Sequence, residues 1–230
     1  PLDNFFIFNS GYEVLNGYFP FKDYWTITGP FIDFIQAFFF KIFGVSWFSY
    51  VLNASTFNFI FCIFTFYVFY RFNLNIHFCF LYALLVSILS YPSTGTPYVD
   101  HQSSYTSIIA IFCFILALKT DSKKYWFFIP IILGLAFLTK QAPSGHFIIL
   151  ISFLSLIYFF LNFDFKKILF GILGVFIFLS IFFITIYITK IPFESFLNQR
   201  SMQDTAAGSH LMLFVQHNHK GNLSNIEDVW

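Results

Sequence analysis

Asp3, Asp100 and Lys140 are ionisable residues that stand where long apolar segments begin or end. A carboxylate in such a place can take the proton of a hydroxyl or amine acceptor as a general base. A lysine ammonium at the same depth is a compact cation suited to pairing with a phosphate. Each has a structural competitor. Asp3 and Asp100 fall where a helix would start, and there a carboxylate caps unpaired amides and favours the helix dipole. Lys140 ends the run GLAFLTK and could extend its ammonium to a membrane interface simply to stay hydrated. Gln141 follows it, then a turn at Ala142-Pro143-Ser144-Gly145. His101 adjoins Asp100, and Glu13, Lys22 and Asp23 lie within the first polar stretch, so these form a second tier of site candidates.

Other chemistries find no foothold. His210, His217 and His219 lack nearby carboxylate or cysteine ligands, and read as surface residues rather than a metal site. Cys62, Cys79 and Cys113 sit inside apolar runs without CxxC spacing, as expected of buried packing residues. The sequence contains no Ser-His-Asp order, no P-loop and no GxGxxG. A net charge of +1 offers no dense basic face for nucleic acid.

The elements that must position these residues are membrane helices. Of the 230 residues 58% are hydrophobic and 10% charged, with a mean hydropathy of +0.73. Soluble domains carry about 25% charged residues, so this chain lacks the charge to solvate a globular surface. Phenylalanine supplies 40 residues along nearly the whole length, consistent with filling of lipid-facing positions. A hydrocarbon core of about 30 Å needs roughly 20 helical residues. Ser46–Tyr70 and Ile168–Thr189 meet that length. His77–Tyr91, Ser104–Leu118, Trp126–Thr139 and Phe147–Leu161 are shorter, and are expected to extend into flanking polar residues or to pack tightly on one face. The expectation is an all-α, polytopic bundle of about six spans over residues 46–189. Phe31–Phe43 would rise only about 20 Å and reads as an interfacial helix, as does Phe5–Leu15.

Charge placement orients the bundle. With Ser46–Tyr70 running inward, Arg71, Lys119, Lys123, Lys124, Lys166 and Lys167 fall in short cytoplasmic loops, as the positive-inside rule requires. Residues 1–45 then form a first extracytoplasmic loop with interfacial helices, and residues 190–230 a polar extracytoplasmic tail beginning a further C-terminal part. The chain starts at Pro1 and shows no signal-peptide pattern; at least one membrane helix is expected upstream.

Three segments, Asp3–Pro30, Pro97–Tyr105 and Gly134–Gln141, resemble the integral-membrane glycosyltransferases of the GT-C superfamily, in particular the bacterial branch akin to protein O-mannosyltransferases and lipid A aminoarabinose transferases. Asp3, Gly17, Pro20, Tyr24 and Pro30 match that family's first outer loop. Asp100 matches an aspartate that opens a later membrane helix, and GLAFLTK matches a segment ending in a lysine near the donor phosphate. Where many relatives have Asp-Glu and Lys-Pro-Pro, this chain has Asp3-Asn4 and Thr28-Gly29-Pro30. The resemblance implies sugar transfer from a polyprenyl-phosphate-linked donor to a lipid, glycan or protein acceptor at the extracytoplasmic face of a bacterial inner membrane. It implies Asp3 and Asp100 as catalytic residues, and Lys140, Gln141, His101, Asp23, Lys22, Glu13 and Tyr24 as substrate-binding ones. No cofactor is expected, because the second acid of the first loop is missing, and a divalent metal is not favoured. The rival readings are a secondary transporter, against which the nearly charge-free spans argue, and a non-catalytic membrane assembly subunit.

Overall fold

A computed structural model describes residues 3–24, 26 and 28–194, without the side chains of residues 3 and 4. The polar tail from residue 195 onward, with His210, His217 and His219, lies outside the described residues. All regular structure among those described is helical: α1 (Asp3–Leu15), α2 (Pro30–Phe43), α3 (Trp47–Arg71), α4 (Ile76–Ser90), α5 (Val99–Thr120), α6 (Lys123–Thr139), α7 (Gln141–Leu161) and α8 (Phe165–Thr189). The expected all-α bundle is the observed one.

Helices stand at all six positions expected of spans. By length and apolarity α3, α5, α7 and α8 can cross a membrane. α4 has 15 residues, a rise of about 22 Å, and α6 has 17 with Pro130 in its interior. α7 and α8 leave most of their apolar surface uncovered, the surface a bilayer would wet. The protein is an integral membrane protein.

Two clusters hold the bundle. Val68 of α3, Ala110, Cys113, Phe114 and Ala117 of α5, Trp126, Ile129 and Leu133 of α6, and Ile151 of α7 form the main core. Small residues on α5 let α3, α6 and α7 approach it closely, the usual basis of helix packing in lipid. Ile7, Ile32, Phe40 and Tyr50 form the second core, which ties α1 and α2 to the start of α3. Phe8 meets Phe40 and Tyr50 edge-on, with ring centroids 4.8 and 5.4 Å apart. Cys79 and Cys113 are buried and Cys62 half-buried, all as free thiols.

Short connections run the helices alternately up and down, so the loops fall into two groups. The first group contains the residue 91–98 loop, the α6–α7 junction at Lys140 and the end of α8. Residues 16–29 join it: Gly29 N–H donates to Thr139 O at 2.9 Å, and Lys22 Nζ to Thr189 O at 3.4 Å. The second group holds the α3–α4, α5–α6 and α7–α8 turns.

Two expected boundaries move farthest. α5 begins at Val99 rather than Ser104, so Asp100 occupies its first turn; the N-cap is Tyr98, which makes no side-chain cap bond. Asp100 is therefore not a capping residue. α7 begins at Gln141 rather than Phe147, with a non-helical Ala142 kinking its first turn. Both helices lengthen because their polar first turns find partners in neighbouring helices.

Candidate active site

Lys140 is the single extended residue between α6 and α7, with φ −154° and ψ 136°. Three bonds fix it. Its N–H donates to Ala136 O at 3.1 Å, its carbonyl accepts from Ser103 Oγ at 3.2 Å, and its Nζ lies 2.5 Å from Asp100 Oδ1. Ser103 also shares a 2.5 Å hydrogen bond with Ser144 Oγ, and Ser107 donates to Ser144 at 3.3 Å. The α5 stripe of Asp100, Ser103 and Ser107 thus clamps the start of α7 and holds both ends of the ion pair at one mouth of the bundle. Asp100 and Lys140 side chains are 43% and 38% exposed, so the pair is reachable from solvent.

His101 lies beside this pair, half-buried between the rings of Tyr98 and Tyr105 at centroid distances of 5.3 and 6.0 Å. Its Nδ1 is buried without a hydrogen-bond partner among the described residues. Gln141 begins α7 directly after Lys140. Lys22 and Asp23 sit at the end of α8, 4.0 Å apart, and Asp23 Oδ2 accepts from Phe19 N–H at 2.8 Å. The backbone of Asp3 opens α1, and its side chain is outside the described residues, so its relation to Asp100 and Lys140 stays an expectation.

Tyr24 leads to a residue that the sequence reading missed. Its hydroxyl donates to Asp33 Oδ2 at 2.9 Å, while Ser10 Oγ donates to Asp33 Oδ1 at 2.7 Å. Asp33 is fully buried. Burial pushes its carboxyl up from the usual range to about 7, against the opposing pull of the bonds from Ser10 and Tyr24. The Tyr24 phenol is raised, first by burial and then by the charge and hydrogen bond of Asp33, with Glu13 and Asp23 adding in the same direction. Glu13 lies in the last turn of α1, where its carbonyl accepts from the N–H groups of Asn16 and Tyr18. Ser10, Tyr24 and Asp33 bolt α1, the loop after it and α2 into one unit.

One turn on, Gln36 starts a second polar chain. Asn53 Nδ2 donates to Gln36 Oε1 at 2.8 Å, and Gln102 Nε2 donates to Asn53 Oδ1 at 3.0 Å. All three are almost wholly buried. This chain joins α2 through α3 to the first turn of α5, two residues from Asp100. The signal for Asp33, Gln36 and Asn53 was present in the sequence, because polar groups inside apolar runs are costly unless paired.

Among the described residues no three histidine, cysteine, aspartate or glutamate side chains cluster as a metal site would need. The arrangement can hold a negatively charged group on Lys140 and present the Asp100 carboxylate beside it. No curated protein and no solved structure matches the chain. A family model for dolichyl-phosphate-mannose-protein mannosyltransferases does, over residues 28–188, well over half of the chain and including Asp33, Asp100 and Lys140. By that match the chain belongs to the dolichyl-phosphate-mannose-protein mannosyltransferase family and is a membrane glycosyltransferase of the GT-C type.

Proposed function

We propose that the protein transfers a sugar from a polyprenyl-phosphate-linked donor to a lipid, glycan or protein acceptor at the extracytoplasmic face of a bacterial inner membrane. The observation that carries this reading is the 2.5 Å Asp100–Lys140 pair at a solvent-reachable mouth of the bundle. Before donor arrives, the two charges neutralise each other. The donor phosphate then takes Lys140, with Gln141 beside it, and frees the Asp100 carboxylate. In the transfer step the bond between the sugar's anomeric carbon and the phosphate oxygen breaks. A new bond forms from that carbon to the acceptor oxygen or nitrogen, and the acceptor proton passes to a carboxylate. Asp3 is assigned as that base, and Asp100 orients the acceptor or shares the role. Lys140 stabilises the charge gathering on the leaving phosphate, an electrostatic contribution of the kind that dominates many enzymes. His101, Lys22, Asp23, Tyr24 and Glu13 are assigned as further binding residues.

The donor's chemistry fits this architecture. A polyprenyl tail needs lipid-facing helices, while its reacting carbon needs polar groups at the surface. The test is sugar release from a labelled polyprenyl-phosphate sugar by the reconstituted chain and its Asp3→Asn, Asp100→Asn and Lys140→Ala variants. Undiminished transfer by Asp100→Asn and Lys140→Ala would remove the site assignment.

A further inference from the structure

α5 separates two polar ends. Asp100 lies in its first turn and Lys119 in its last, about 28 Å apart along the axis, close to the thickness of a hydrocarbon core. At the Lys119 end a cavity of about 550 Å³ opens between the ends of α3 and α5, lined by Tyr70, Arg71, Asn73, Leu74, Lys119 and Thr120.

Its two cations are uncommitted. Among the described residues neither Arg71 nor Lys119 forms an ion pair, and the carboxylates at this end, Asp121 and Asp164, both pair with Lys167. Lys119 Nζ sits 3.9 Å from the centroid of the Phe72 ring, which holds the ammonium in place without cancelling its charge. Helix C-termini carry roughly half a negative charge each, which opposes anion binding. Two full positive charges outweigh two such ends. At α3 the opposing carbonyls are also engaged: Asn73, in the left-handed region at φ 60°, donates its N–H to Tyr70 O at 3.0 Å, and Leu74 N–H donates to Phe69 O at 3.3 Å. This closure caps the helix end and leaves the cations to set the local potential.

The surroundings specify the ligand further. Exposed Tyr70 and Phe72 flank the cavity, as aromatic residues do at a headgroup interface. Exposed Phe59, Ile60 and Ile63 lie farther along α3, where acyl chains would run. Arginine's planar fork matches two phosphate oxygens, and lysine adds a point charge.

We propose that this cavity binds the phosphate of an anionic phospholipid headgroup, at the end of the bundle opposite the Asp100–Lys140 pair. The site is separate from the proposed transfer chemistry and does not depend on it.

The test titrates the detergent-solubilised chain with phosphatidylglycerol or phosphatidylcholine and follows thermal stability, which rises with ligand bound to the folded state. Phosphatidylglycerol stabilises and phosphatidylcholine does not. Arg71→Gln combined with Lys119→Gln weakens phosphatidylglycerol binding about tenfold or more, and each single variant gives an intermediate loss that still reports if the double variant folds poorly. Lys123→Gln combined with Lys124→Gln removes the same charge outside the cavity, and weakens binding clearly less than the Arg71→Gln/Lys119→Gln pair does. Equal loss in both double variants means diffuse charge attraction and overturns the site, as does unchanged binding in Arg71→Gln/Lys119→Gln. Inorganic phosphate alone, if it stabilises as strongly as phosphatidylglycerol at equal concentration, overturns the lipid assignment.

Discussion

Lys140 Nζ and Asp100 Oδ1 lie 2.5 Å apart across 40 residues of sequence, in side chains that are 38% and 43% exposed. An ion pair this accessible contributes about 0–1 kcal/mol to stability. Its placement between three helix ends is therefore better explained by what the charges do when separated. Exchanging them, Asp100→Lys with Lys140→Asp, keeps the attraction and moves each charge to the wrong side. The expected result is an unfolding midpoint close to that of the parent chain, with sugar transfer reduced about 100-fold or more, as for loss of one preorganised electrostatic contact. Transfer at the parental rate would show that only the pairing matters, and so that the pair is structural.

Asp33 gives the fold a pH dependence of defined sign. Its carboxyl ionises near 7 in the folded protein, against a usual value of 3.8, so the folded state holds a proton that the unfolded state has already lost. Between about pH 4 and 7 the unfolded chain binds fewer protons, and stability falls as pH rises through that window. Above it the loss is complete, below it absent. Each unit is worth about 1.4 kcal/mol. Unfolding midpoints of the solubilised chain should decline from pH 4 to 7 and then level. Asp33→Asn should flatten the curve while keeping a carboxamide oxygen to accept from Ser10 or Tyr24. A variant with the parental slope would place the titrating group elsewhere.

The Asp100–Lys140 end was readable because both residues interrupt the boundary of an apolar run, where a charge stands out in any hydropathy window. Asp33 was not. It is one acid inside an apolar stretch, and its partners Ser10 and Tyr24 are 23 and 9 residues away, brought together only when α1 folds back on α2. The start of α5 moved for a related reason. Gln102 and Ser103 are polar enough to end an apolar window, yet they are helical because Asn53, Ser144 and the Lys140 carbonyl satisfy them. The helices themselves were legible from the length of their apolar runs, whereas the exact helix ends depended on hydrogen bonds that only the packed bundle makes.

Gly29 joins the first loop to α6 with no room to spare. A Cβ built there would stand 1.7 Å from Leu138 O, while the backbone, with φ −74°, suits any residue. The constraint is thus spatial. Gly29→Ala must push the loop away from α6 and strain the Gly29–Thr139 hydrogen bond, at a cost of about 1–3 kcal/mol. Gly145 in α7 meets nothing within 4 Å, so Gly145→Ala should gain up to about 1 kcal/mol of helix propensity. Paired thermal melts of the two variants measure the contrast, and equal shifts would mean that the loop does not rest on α6 as described.

Asn53 donates to Gln36 and accepts from Gln102, so its removal strands polar groups on two other helices. A buried group left unsatisfied costs about 1–3 kcal/mol, whereas hydrogen bonds between membrane helices contribute on average only about 0.6 kcal/mol. These two magnitudes predict an inverted order of damage. Asn53→Leu alone should destabilise more than the triple replacement Gln36→Leu, Asn53→Leu and Gln102→Leu, because the triple variant leaves no orphaned partner. Unfolding in denaturant, followed by tryptophan fluorescence, gives the ranking. If the triple variant proves the worse, each side chain contributes through its own packing, and the chain does not act as one unit. If the single variant is worse, sugar transfer in the triple variant then tests the link to Asp100. Loss of transfer in a well-folded triple variant would show that the chain from α2 sets the first turn of α5, and with it the carboxylate two residues away.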